Sequence, residues 1–127
     1  MAVGLERRKA PRMLVARHLG AKARATLNVR LLDLSASGAR IEHTDLLRPG
    51  ANYALELPPA LGPLILTVRV VHSAVIGTEP TPQGERNLRY QSGLAFVGIA
   101  GAQQSALVAI LQRLTPGGGL GNGRLRP

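Results

Sequence analysis

The 127-residue chain contains no cysteine and no tryptophan. Without cysteine it can form no disulfide, hold no metal through thiolate and use no thiol nucleophile. Other aromatic residues are nearly missing too: Tyr53, Tyr90 and Phe96 are the whole set. The core must therefore be aliphatic, and recognition of bases by a platform of stacked aromatics is strongly disfavoured. Acidic residues are scarce, 7 against 16 Lys and Arg, for a net charge of +9. No apolar run approaches the ~20 residues of a membrane-crossing helix. The longest, near Leu64 to Val71, is broken by Thr67 and Arg69, so no membrane insertion is expected. Met1 to Arg12 is charged with no apolar run behind it, which is unlike a secretory leader and makes a cytoplasmic location the expectation.

Catalytic signatures are also missing. No G-x-S-x-G surrounds a serine, no Walker-type phosphate loop is present, and Glu42, Asp45 and Glu56 form no evident acid–base pair. His18, His43 and His72 lie on separate segments without metal-ligand spacing. No enzyme, no metal and no cofactor are expected.

What is present is arginine. Only Lys9 and Lys22 are lysines. The planar guanidinium fork fits phosphate oxygens and can lie flat on a base, so the bias points to a nucleotide, a nucleic acid or an anionic surface. Solubility and genomic composition are the competing explanation for the overall excess. The length suits one domain, which buries roughly two thirds of the surface its unfolded chain exposes.

Glu6 to Arg12 carries four positive side chains, and Pro11 disfavours helix. Residues 1–24 therefore read as a basic arm. From Ala25 the pattern alternates: Leu27, Val29 and Leu31 on one face, Asn28 and Arg30 on the other. This predicts a half-buried strand. After the turn Ser35 to Gly38, Ala39 and Ile41 alternate with Arg40 and Glu42 as its hairpin partner. Pro49-Gly50 signals another turn. Further strands are predicted around Tyr53 to Leu57, Leu64 to Val75 and Tyr90 to Phe96, with Thr78 to Asn87 as a polar loop. Leu107, Ile110, Leu111 and Leu114 have helical spacing, predicting an amphipathic helix over Gln103 to Leu114. Pro116 and Gly117 to Gly119 stop it. The expectation is an all-β domain over residues 25–115. It would be about six strands in meander-like sequence, closed into an antiparallel barrel and followed by one helix. Residues 116–127, rich in glycine with Arg124 and Arg126, read as a disordered tail.

Two motifs carry chemistry. Arg8-Lys9-Ala10-Pro11-Arg12 is an R-x-x-x-R pattern preceded by Arg7. Asp33-Leu34-Ser35-Ala36-Ser37-Gly38 is a D-x-S-x-x-G pattern at the first hairpin. Each alone is weak, since the first recurs in basic chains and the second is also ordinary turn chemistry. Together, in this order and strand context, they resemble the PilZ domain family. Gly38-Ala39-Arg40-Ile41, the Pro49-Gly50 turn, Gly93-Leu94-Ala95-Phe96 and the terminal helix extend the resemblance over roughly Arg7 to Leu114.

The resemblance implies a six-stranded barrel that binds cyclic di-GMP on its outer surface, with the arm folding over the ligand. Arg8 and Arg12 would contact phosphate oxygens, or the N7 and O6 of guanine, and stack on the purine. Asp33 would accept from the guanine N1–H and N2 donors, Ser35 would donate to a phosphate or base, and Gly38 would allow close approach. Arg7 and Arg40 are second-tier ligand residues, equally readable as solvated charge. Arg7 before the motif tilts the reading toward two stacked ligand molecules. A downstream protein partner is expected, because a lone receptor domain must signal in trans. The rival readings are a ligand-independent protein-interaction adaptor and a basic nucleic-acid-binding module. The latter is disfavoured because it lacks an aromatic platform and a recognition helix.

Overall fold

A computed structural model describes residues 26–127. Among the described residues, six strands and one helix follow in the order β1 (Leu27–Leu34), β2 (Gly38–His43), β3 (Asn52–Glu56), β4 (Ile65–Pro80), β5 (Arg86–Phe96), α1 (Gly101–Arg113) and β6 (Asn122–Arg126). All neighbours are antiparallel, and the sheet closes into a barrel in the order β1-β2-β5-β4-β3-β6. The all-β barrel with one C-terminal helix is thus the observed architecture. Alternation supplies the wall: Val29 and Leu31, Ile41, Leu55, Leu66, Val68 and Val70 point inward and are at most 3% exposed. Their partners Asn28, Arg30 and Arg40 face solvent. Helix α1 buries Leu107 and Ile110 against this core. Its ends are tied to the β3–β4 side, where Gln103 donates to the Ile65 carbonyl (2.8 Å) and Arg113 to the Leu61 carbonyl (2.8 Å).

Three expectations are corrected. The chain is no meander, because β2 pairs with β5 rather than β3. Alternation reveals which face a residue occupies but not which strand lies beside it. The Thr78–Asn87 segment is not a loop either. It is the distal part of a long β4–β5 ribbon, with Thr78 opposite Leu88, and only the turn at its tip is irregular. There Thr81 N–H donates to the Glu85 carbonyl and Gly84 takes a φ of +87°.

The third correction concerns residues 116–127, which read as a disordered tail. They contain β6, which closes the barrel by pairing with both β1 and β3. Leu125 has no exposed surface and sits opposite both Leu27 and Leu55. Gly123 serves close approach: a Cβ there would lie 2.6 Å from the Glu56 carbonyl oxygen. Glycines that read as a sign of disorder let this strand fit into its slot.

Candidate functional site

The β1–β2 hairpin builds the candidate site. Leu31 points inward, so strict alternation would send Asp33 inward as well. A β-bulge between Leu31 and Asp33 breaks the register, and Asp33 emerges on the outer wall while Leu34 returns to the core. Asp33 faces Arg40 across the pair, and its Oδ2 lies 3.3 Å from Arg40 Nη2. Both side chains are about half exposed. Such a pair stabilises the fold by at most about 1 kcal/mol, so either member can exchange its partner for a ligand at small cost.

Ser35 shapes the turn. Its Oγ accepts from the backbone N–H of Ser37 (3.3 Å) and of Gly38 (3.2 Å). The hydroxyl proton lies within reach of the Gly38 carbonyl (3.2 Å) and Ser37 Oγ (3.3 Å). A hydroxyl has one proton to give, so donation to any ligand competes with these bonds. Gly38 has a different reason. A Cβ there would overlap the Leu94 carbonyl oxygen of β5, so the glycine permits β2 to approach β5 rather than providing a left-handed turn residue. The result is a shallow concavity of about 300 Å³ on the barrel exterior, lined by Asp33, Ser35, Ser37, Gly38, Arg40 and Ala95 among others. Asp33, Ser35, Gly38 and Arg40 are therefore brought together. Arg7, Arg8 and Arg12 lie outside the described residues.

A second concavity, about 370 Å³, lies near Asn28, Arg30, Glu42, His43 and Arg89. Its charges are largely matched: Glu42 takes Arg30 at 3.2 Å and Arg89 at 2.7 Å. His43 is 4% exposed. Its Nδ1 lies 2.7 Å from the Asp45 carbonyl, which can only accept, so Nδ1 carries the proton. Nε2 then accepts from Ser92 Oγ (2.6 Å), and Ser92 in turn accepts from Ser73 Oγ (2.7 Å). Burial holds the His43 pKa below its ordinary value, outweighing the Asp45 carbonyl bond and the nearby Asp45 and Glu42 charges. Tyr90 stacks on the ring at 5.6 Å. This buried chain of polar groups was invisible in the sequence, because its members are far apart in it. Among the described residues, no cluster of three or more His, Cys, Asp or Glu could hold a metal ion. No helix among them is long and apolar enough to cross a membrane.

The described residues thus form a closed six-stranded barrel with a charged, solvent-facing concavity at its first hairpin and a covering helix. A family model described as "PilZ domain" matches residues 6–113, and the chain belongs to that family. A search of curated proteins and one of solved structures each find no match.

Proposed function

We propose that this protein is a cyclic di-GMP receptor that binds its ligand on the outer wall of the barrel. The observation that carries the reading is the concavity in which Asp33 and Arg40 stand together, next to the Ser35–Gly38 turn. Family membership supports the same ligand class. On binding, Arg7, Arg8 and Arg12 close over the ligand. Arg8 and Arg12 take phosphate oxygens and guanine acceptors, while Asp33 reads the guanine N1–H and N2 donors, which adenine does not offer in that arrangement. Each charge-assisted bond contributes about 1.5–3 kcal/mol. A few of them, less the entropic cost of association, correspond to micromolar or submicromolar binding. The closure changes shape and surface charge, and a partner protein in the cytoplasm reads the change. Binding, not catalysis, is the activity.

The distal β4–β5 ribbon favours a protein partner as the downstream element. Val75, Ile76 and Leu88 beside that distal part are 43–55% exposed, and an apolar surface is more readily matched by a protein than by nucleic acid.

Isothermal titration calorimetry with cyclic di-GMP tests the reading, with GMP and cyclic di-AMP as controls. The expected result is saturable, guanine-selective binding that disappears in the Arg8→Ala, Arg12→Ala double variant. Two ligands per chain would assign a contact to Arg7. Absence of binding at high ligand concentration sinks the receptor reading and moves the function to a ligand-independent adaptor or a basic nucleic-acid binder.

A further inference from the structure

One register row runs across four strands. Asp33 of β1 faces Arg40 of β2, Arg40 faces Gly93 of β5, and Gly93 faces His72 of β4. A neighbouring row runs from Gly38 through Ala95 to Arg69. The concavity occupies the β1–β2 half of these rows and reaches Ala95. Their β4 ends, His72 and Arg69, are both exposed.

The position of His72 is set by a second bulge. Val70 is buried, at 1% exposure, and alternation would place residue 72 on the same inward face. The register shifts between Val70 and His72, and the extra residue Val71 is 57% exposed. The shift returns His72 to the outer wall, as the β1 bulge does for Asp33. Bulges re-aim side chains at functional surfaces, and here they act at both ends of one row.

Gly93 completes the arrangement. A Cβ at this position would lie 2.5, 2.9 and 3.1 Å from Nε2, Cδ2 and Cε1 of His72. Three consecutive ring atoms at such similar distances mean that the ring lies over Gly93 rather than pointing at it. Any larger residue would push the ring away. His72 thus presents a flat aromatic face on the barrel exterior in a protein with only three other aromatics besides its histidines. Neighbouring strands lie about 4.8 Å apart, so His72 is two steps, roughly 10 Å, from Arg40, a span that a cyclic dinucleotide can cover.

We propose that the ligand site extends across β5 onto β4, where the His72 ring, seated on Gly93, stacks against a purine base of the ligand and Arg69 contacts its phosphate. The proposal rests on the cyclic di-GMP reading above. Histidine is among the side chains on which bases stack, and arginine binds phosphate through its fork.

The test is cyclic di-GMP titration of the full chain and of His72→Ala, His72→Phe and Arg69→Ala, each checked for an unchanged Tm. Loss of a stacking contact is expected to weaken affinity roughly tenfold to a hundredfold in His72→Ala. His72→Phe keeps a flat ring and is expected to retain affinity. Arg69→Ala should weaken binding and flatten its salt dependence. In the wild type, ligand should move the His72 ring-proton resonances upfield. If the wild type binds while all three variants match it, this extension is overturned and the receptor reading stands. If the wild type does not bind, the receptor reading fails and the extension falls with it.

Discussion

Gly38 shows how much the lack of a side chain can decide at the candidate site. Its place in D-x-S-x-x-G invited a reading in terms of turn geometry or ligand approach, and the sheet supplies a stronger reason. Any Cβ would overlap a backbone carbonyl of β5, and backbone cannot rotate out of the way as a side chain can. Gly38→Ala must therefore shift the β2–β5 pairing that carries Arg40 opposite Gly93. Overpacking of this kind costs about 1–3 kcal/mol. The expected result is a Tm lowered by several degrees, with weakened ligand binding, measured by thermal unfolding and calorimetry; an unchanged Tm would contradict the steric argument. The signature glycine was legible in the sequence. Its partner was not, because Leu94 lies 56 residues further on.

Among the elements, β6 carries the sharpest consequence. It has only five residues, yet it closes the barrel by pairing with two strands and burying Leu125 completely. Arg126 also donates to Glu56 at 2.8 Å. Closure removes the two open edges that β1 and β3 would otherwise present. Leu125→Ala should destabilise the protein by about 2–5 kcal/mol. Truncation after Gly118 should be worse, leaving a chain that unfolds at much lower denaturant concentration or aggregates through its exposed edges. Denaturant titration of both variants checks this, and a truncated chain of native stability would show β6 to be dispensable. Composition concealed this strand. Glycine and arginine around one leucine match disorder as well as a short strand, and only the presence of two unsatisfied edges decides between them.

For the molecule as a whole, stability is coupled to pH through His43. Its imidazole is buried as the neutral form and its pKa is depressed from 6.5 by desolvation. Below about pH 6.5 the unfolded chain takes up a proton that the folded chain resists, so stability falls as pH falls. Above that range both states hold neutral histidine and the effect disappears. Protonation would also require Nε2 to donate to Ser92, reversing the direction of the Ser73–Ser92–His43 chain. Thermal unfolding between pH 7.5 and 5 should show a steeper loss of Tm in the wild type than in His43→Asn. Parallel profiles would mean that other groups dominate the acid response.

Legible along the chain were the faces of β1, β2 and β3, the existence of β4, the amphipathic helix, the aliphatic core and the signature residues Asp33, Ser35 and Gly38. These are local properties: a period of two or of 3.6 can be read along one segment without knowing its neighbours. Tertiary structure alone decided the pairing of β2 with β5, the recruitment of Asn122–Arg126 as the closing strand, and the two bulges that turn Asp33 and His72 outward. A bulge is a mismatch between two strands, and a closing strand is defined by the edges it fills, so neither exists in the pattern of one segment alone. The same holds for the row from Asp33 through Arg40 and Gly93 to His72, whose members come from four strands and meet only when β1 pairs with β2, β2 with β5 and β5 with β4.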